Sequence, residues 1–132
     1  MPKIIIIFSL ILMLTACNGV GTKKKSEGLE TAIDEYVAAL RWGRFDKAVE
    51  YHFDKEDNSL DVDTSKLEYI KVTGHTFKKK VINEEVDEAA LQLELQYYNE
   101  EYGTVKKIII DQVWWYSEDA KRWLLSSDFP KF

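Results

Sequence analysis

Residues 89–98 read AALQLELQYY and carry the clearest structural signal of the chain. Apolar and polar side chains alternate along this segment, as they do on a β-strand that buries one face. Glutamine and glutamate side chains occupy the polar face. The apolar face comprises Ala89, Leu91, Leu93, Leu95 and Tyr97. The segment therefore predicts a half-buried strand within an antiparallel sheet.

The next segment, Thr104–Tyr116, predicts the partner strand and its register. With a short turn between the two strands, Leu95 lies opposite Ile108 and Leu93 lies opposite Ile110. The two apolar faces coincide in this register. A slip of one residue would instead place charged side chains opposite the core leucines.

This register places a single amide, that of Gln112, on the apolar face of the second strand. A buried amide needs hydrogen-bond partners. In one interpretation Gln112 is the polar contact of a ligand pocket lined by Tyr97, Trp114 and Tyr36. In the other, the core is closed and the amide satisfies backbone groups or a tyrosine hydroxyl, which is the commoner arrangement.

Two helices are predicted before the sheet. The first begins with Ser26 as its N-cap and ends at Gly43, and the second covers Phe45–Phe53. The apolar stripe of the first helix comprises Leu29, Ile33, Tyr36, Val37 and Leu40. The remaining strand segments are Leu67–Val72, His75–Ile82 and Trp123–Ser127, with a bulge or bend at Gly74. Helices followed by an antiparallel meander indicate an α+β domain.

Residues 36–54 read YVAALRWGRFDKAVEYHFD. This segment resembles the helix–glycine–helix opening of the nuclear-transport-factor-2-like superfamily. The resemblance extends in element order over residues 27–132, and it implies N-terminal helices packed on a curved antiparallel sheet that forms a cone with an apolar pocket. Some members of that superfamily are isomerases or dehydratases, but their catalytic positions do not map onto this chain residue by residue. The resemblance therefore gives almost no information about function.

The N-terminus combines Lys3, the apolar run Ile4–Leu14 and the quartet LTAC that ends at Cys17. This layout is typical of a secretory signal, and the quartet resembles the lipobox of bacterial lipoproteins. The resemblance implies a signal peptide over residues 1–16 and lipidation of Cys17 with acyl chains such as palmitate. Residues 17–26 are then predicted to form a flexible tether, and residues 27–132 a single domain.

Composition and sorting signals limit the cellular locations and the kinds of partner that can be expected. Because Lys3 is the only charge in the signal, its removal changes the formal net charge from −5 to −6. An acidic chain is a poor match for nucleic acid. Asn18 follows Cys17 where aspartate would favour inner-membrane retention in this class of lipoprotein. The prediction is a cell-envelope protein, on the periplasmic side of the outer membrane if the cell has two membranes.

No catalytic, metal or cofactor site is predicted. His52 and His75 lie in different elements without a partner at recognisable spacing, so both are expected to be surface or hydrogen-bonded residues. Two histidines and one cysteine give no zinc signature. Trp114 and Trp115 place one indole on each face of the sheet, and the outer one is expected to be covered by a partner or by Phe129–Phe132.

These observations favour a membrane-anchored, non-catalytic module that binds an apolar ligand or an envelope protein. One alternative is a small enzyme of the isomerase or dehydratase type. Another is a structural accessory lipoprotein with a closed pocket. An open, entirely apolar cavity beside Gln112 would favour ligand binding. A buried aspartate or histidine beside a tyrosine would favour catalysis, and a closed core would leave only the interaction role. The sequence does not indicate an oligomeric state.

Overall fold

A long helix packed on a four-stranded sheet forms the two layers of the fold. The computed structural model describes residues 16–56 and 58–132. Its elements are α1 (Ala16–Arg41), α2 (Phe45–Val49), a 3₁₀ turn (Thr64–Leu67), β1 (Ile70–Ile82), β2 (Glu88–Asn99), β3 (Val105–Ser117) and β4 (Arg122–Leu125). The strands pair in the order β1-β2-β3-β4, which makes a curved, open antiparallel meander. The predicted α+β class is confirmed.

The pairing of β2 with β3 follows the predicted register. Leu95 lies opposite Ile108 and Leu93 opposite Ile110, without a register shift along the pair. The apolar face of β2 is buried against α1, and its polar face is more exposed. Matching of the two apolar faces was therefore sufficient to define this register.

Strand β1 is continuous across Gly74, and the predicted bulge is present there. The register with β2 shifts between Val72 and Gly74, and it shifts again between Phe77 and Lys79. At the first shift, a Cβ on Gly74 would lie 3.3 Å from Gln96 Oε1, so the position favours a residue without a side chain. The second bulge was not predicted.

Helix α1 is described from Ala16 onward, so it already runs through Ser26, which is not its N-cap as predicted. Residues 17–26, predicted to be a flexible tether, therefore have a helical backbone. Next to the predicted N-cap, the Trp123 indole N–H donates to the Lys25 carbonyl at 2.8 Å. Residues 1–15, most of the predicted signal peptide, lie outside the described residues, as does the side chain of Cys17.

The C-terminus of α1 is closed by Gly43, as predicted. Gly43 has a φ of +70°, and the following amide of Arg44 donates to the carbonyl of Ala39 at 2.8 Å. This is the bond of a Schellman cap. Among the described residues, no helix is long and apolar enough to cross a bilayer.

The second helix is shorter than predicted, because α2 ends at Val49 rather than at Phe53. Residues 51–53 instead lie beside β4. The Leu125 amide donates to the Tyr51 carbonyl at 2.7 Å, and the Phe53 amide donates to the Leu125 carbonyl at 3.0 Å. This non-local pairing outweighs the helical preference of the segment and directs His52 into the core.

The two adjacent indoles of β3 face opposite ways, as predicted, but the covering of the outer one differs. Trp115 donates its indole N–H to the Phe53 carbonyl at 2.8 Å. The C-terminal segment lies on the inner face instead, where Phe129 and Phe132 contact Phe45. The expectation that Phe129–Phe132 covers the outer indole was therefore wrong.

Candidate functional site

The four predicted pocket residues lie within the closed core. Gln112 is 3% exposed, and Tyr36 and Trp114 are fully buried. Gln112 Oε1 accepts a hydrogen bond from Trp114 Nε1 at 3.2 Å, and the ring of Tyr36 packs edge-on against Trp114 at 5.7 Å. Tyr97 lies apart from them, against Phe132. None of the four lines any cavity described below, so their role in a pocket stays a prediction.

Tyr36 and His52 form the polar centre of this core. Tyr36 Oη lies 2.8 Å from His52 Nε2, and His52 Nδ1 lies 2.8 Å from the carbonyl oxygen of Ser127. A carbonyl only accepts, so Nδ1 must carry the proton, and Nε2 then accepts from the Tyr36 hydroxyl. The two bonds fix one neutral tautomer of the ring.

The environment of this pair favours neutral side chains. Burial lowers the pKa of His52 from 6.5, although the Ser127 carbonyl and the charge of Asp128 oppose that effect. Burial also raises the pKa of Tyr36 well above its usual range. Hydrogen bonds between neutral groups are the arrangement that a desolvated site permits at the lowest electrostatic cost.

His52 is hydrogen-bonded, which is one of the two environments expected for it. It is 2% exposed and is therefore not a surface residue. Its partner Tyr36 lies sixteen positions earlier on α1, a separation that gives no recognisable pattern. His75 is exposed on β1, where it contacts Phe77. Among the described residues, no three histidine, cysteine, aspartate or glutamate side chains are placed to hold a metal ion.

An open groove of about 540 Å³ lies between α1, the α2 segment and the start of β4. One wall is the exposed face of α1, where the small side chains of Gly28, Thr31 and Ala38 leave space. The opposite wall is formed by Arg44, Lys47, Glu50, Tyr51 and Arg122. Trp42, which is 77% exposed, stands at the end of α1 beside this groove. We refer to this surface as the helix groove.

A hydrogen-bonded cluster shapes the middle of the helix groove. The Tyr51 hydroxyl donates to Glu35 Oε2 at 2.6 Å, and the Arg122 guanidinium lies 4.9 Å from the centre of the Tyr51 ring. Partial burial, together with the Glu35 carboxylate, raises the pKa of Tyr51 to about 12. The tyrosine is therefore protonated at neutral pH, and it holds Glu35 in a fixed position.

The helix groove was not predicted from the sequence. Its α1 residues fall on the polar face of the helix, which is normally a solvated surface without a function. One signal was present: Trp42 lies outside the apolar stripe that ends at Leu40, and a large aromatic side chain is unusual on a polar face. The opposite wall comes from α2 and β4, whose approach depends on the tertiary fold.

Two smaller cavities and a larger edge groove complete the surface features. Cavities of about 150 and 170 Å³ lie beside Phe45 and beside His52. A groove of about 590 Å³ separates residues 108–111 of β3 from the C-terminal segment 126–131. We refer to it as the edge groove.

Protein-family models, curated proteins and solved structures were compared with the chain, and none of them matches it.

Proposed function

We propose that the mature chain is a lipid-anchored protein of the cell envelope that docks a protein partner through the helix groove. The observation that carries this proposal is the contrast between two places. The predicted pocket residues are buried in the core, whereas Trp42 is 77% exposed beside an open groove. A surface of this kind suits docking better than enclosure of a small apolar molecule.

The residue types in the helix groove support a protein partner. Tryptophan, tyrosine and arginine are the residues that most often dominate the energetics of protein interfaces. Here Trp42, Tyr51, Arg44 and Arg122 line one groove. The Glu35–Tyr51 hydrogen bond and the packing of Arg122 on Tyr51 order part of this surface before binding, which lowers the entropy lost on association.

The location rests on the quartet LTAC and on the acidic domain behind it. Two or more acyl chains on Cys17 would hold the protein stably on a bilayer. We place the protein on the periplasmic side of the outer membrane in a cell with two membranes, because Asn18 follows the cysteine. Cys17→Ala tests the anchor: an unprocessed, slower-migrating precursor is expected, and unchanged processing would refute lipidation.

We further propose that residues 27–132 are a nuclear-transport-factor-2-like domain. A long helix closed by Gly43, a second helix and an antiparallel meander occur in the expected order. The isomerase-type alternative would need a titratable group beside a tyrosine in an accessible cavity. Tyr36 and His52 are adjacent, and His52 borders a cavity of about 170 Å³. However, both nitrogen atoms of His52 are already hydrogen-bonded, and Tyr36 is fully buried and does not line that cavity. This geometry favours docking over catalysis.

Site-specific photocrosslinking tests the docking role. The photoreactive amino acid p-benzoylphenylalanine replaces Trp42 in the full chain, expressed in cells with an intact envelope. The matched control replaces Tyr102, which is 78% exposed in the turn between β2 and β3. A discrete protein adduct at position 42 and none at position 102 is expected. Equal adducts at the two positions, or none at position 42, would contradict the proposal.

A further inference from the structure

Strand β4 covers only part of β3. It pairs with Trp114–Ser117, and the chain then turns away after Ser126 and Ser127 contact Val113. Residues 105–111 of β3 pair with β2 on one side. On the other side, no strand among the described residues pairs with them. Among the described residues, half of β3 is therefore a free sheet edge. Residues 108–111 of this edge line the edge groove, and the C-terminal segment 126–131 forms its other side.

The direction of the Val113 backbone groups shows which N–H and C=O groups of β3 point towards this edge. In an antiparallel strand, each residue points its N–H and C=O to the same side, and successive residues alternate. The Val113 carbonyl accepts from the Ser126 amide on the β4 side. Val105, Lys107, Ile109 and Asp111 have the same parity, so their N–H and C=O groups also point outward. These groups are available to a further strand.

The two edges of the sheet are built differently. The β1 edge has two register shifts and three consecutive lysines, Lys78–Lys80, which are features that discourage edge-to-edge pairing. The free edge of β3 has neither a bulge nor a proline, and its pairing with β2 is regular. Two of its side chains, Val105 and Ile109, are each 61% exposed. This edge is therefore suited to accept a strand.

The charges along the free edge are self-complementary. Lys107 and Asp111 lie symmetrically on either side of Ile109, and all three face the outer side of the sheet. Lys107 Nζ is 3.8 Å from Glu94, and Asp111 accepts from Gln92 at 3.0 Å, so both charges are already oriented on that face. A strand that matches this pattern in the antiparallel direction has the order acidic, apolar, basic. The edge itself has that order when it is rotated by 180°.

We propose that this edge is the contact between two copies of the chain, with the β3 strands antiparallel about a twofold axis at Ile109. Ile109 then lies opposite its counterpart, and each Lys107 lies opposite Asp111 of the other copy. The three residue pairs so formed exchange about six backbone hydrogen bonds. A C2 contact of this kind is isologous and closes at the dimer. The helix groove, on the helix layer, remains accessible in both copies.

Cysteine crosslinking tests the register. An Ile109→Cys variant brings two cysteines to a Cα separation of about 5.5 Å, which is within the range that a disulfide spans. Val105→Cys is the matched control, because it has the same exposure but its two copies would lie roughly 27 Å apart along the strands. Both variants of the full chain are oxidised in intact cells and analysed on non-reducing gels. The unsubstituted chain shows whether Cys17 contributes.

A dimer band from Ile109→Cys only is the expected result. Equal dimer from both variants, no dimer from Ile109→Cys, or an adduct of Ile109→Cys with another protein would overturn the proposal. Circular dichroism of the purified variants confirms that each is folded.

Charge exchange provides an independent test in the Ile109→Cys background. Lys107→Asp alone places two aspartates opposite each other and should reduce the dimer about tenfold, since both copies contribute one repulsive pair. Asp111→Lys alone should have the same effect with two lysines. The double variant exchanges the charges and should restore the dimer to the level of Ile109→Cys. A double variant that dimerises no better than the single ones would refute the pairing of Lys107 with Asp111.

Discussion

At His52, two hydrogen bonds of fixed direction compensate for the burial of a titratable ring. Nδ1 donates to the Ser127 carbonyl and Nε2 accepts from the Tyr36 hydroxyl. A proton added to Nε2 would reverse the bond to Tyr36: the ring N–H would donate to the Tyr36 oxygen, and the hydroxyl hydrogen would have to turn to another acceptor. The protonated ring would also place a charge in a largely desolvated site, and this is the main reason why protonation is unfavourable.

Stability should therefore fall at mildly acidic pH. The pKa of His52 in the folded protein lies below 6.5, so between these two values only the unfolded chain binds the proton. Above pH 6.5 the ring is neutral in both states and contributes no pH dependence. As the pH falls below 6.5, the free energy of unfolding should decrease by up to about 1.4 kcal/mol per pH unit. Urea unfolding from pH 8 to pH 5 measures this slope.

The matched controls for that slope are two glutamine substitutions. His52→Gln removes the titrating group and should flatten the dependence below pH 6.5, whereas His75→Gln changes an exposed residue of β1 and should leave it unchanged. A wild-type slope retained in His52→Gln would show that another group causes the pH dependence.

A second prediction concerns Gln112, whose amide oxygen accepts a hydrogen bond from the buried indole N–H of Trp114. Gln112→Leu should lower the free energy of unfolding by about 1–3 kcal/mol, since the indole N–H would be left buried without a partner. In a Trp114→Phe background, which lacks the donor, the same substitution should have a smaller effect. Urea unfolding of the four proteins measures this difference, and equal effects in both backgrounds would argue against the hydrogen bond as the cause.

At the level of elements, a glycine within α1 and the glycine that follows it have opposite conformational requirements. Gly28 lies within the helix, and an added Cβ would meet Trp123 at 3.7 Å, an ordinary van der Waals distance. Gly43 has a φ of +70° at the helix end. Gly28→Ala should raise the free energy of unfolding by about 0.5–1 kcal/mol because alanine restricts the unfolded chain. Gly43→Ala should lower it by about 1–2 kcal/mol because the left-handed conformation disfavours a Cβ.

Thermal unfolding followed by circular dichroism measures both glycine effects. The two substitutions add the same methyl group, so opposite signs would isolate the backbone conformation as the cause. Destabilisation by Gly28→Ala would mean that Trp123 cannot accommodate the added methyl group.

The sequence predicted the sheet better than the ends of the helices, and the reason is physical. The register of β2 and β3 follows from two alternating patterns that lie close together in the chain. Helix α1 runs through the predicted N-cap Ser26, and the neighbouring Lys25 carbonyl is bonded by Trp123, 98 positions away. The end of α2 depends on Leu125, which pairs with residues 51–53. Local propensity contains no information about such distant partners.

The same distinction applies to the candidate site. Gln112 was placed on the apolar face correctly, because the alternation along one strand determines its direction. The environment of His52 was missed, since its partners Tyr36 and Ser127 come from α1 and from the C-terminal segment. The helix groove likewise combines α1, α2 and β4, and no single segment contains its pattern.

On the scale of the whole molecule, the two proposed contacts use different layers. The helix groove lies on the helix layer, and the dimer contact lies at the edge of the sheet, so one chain can make both at once. The edge contact is small, and a lipid anchor would favour it because confinement to a membrane raises the local concentration of the chain. A partner that carries two docking segments would then bind the two copies of a dimer bivalently.

The C-terminal segment joins these layers through Phe129. The centroid of its ring lies 6.4 Å from that of Phe45 in α2 and 5.4 Å from that of the His52 ring. Phe129→Ala should lower the free energy of unfolding by about 3–5 kcal/mol, as for other buried phenylalanines. It should also admit water to His52, raise the pKa of that ring towards 6.5 and reduce the loss of stability below pH 6.5.

The control is Tyr102→Ala, at a turn residue that is 78% exposed. This substitution should change the free energy of unfolding by less than about 0.5 kcal/mol. Urea unfolding at pH 8 and pH 5 measures both effects, and an unchanged pH dependence in Phe129→Ala would show that Phe129 does not shield the histidine.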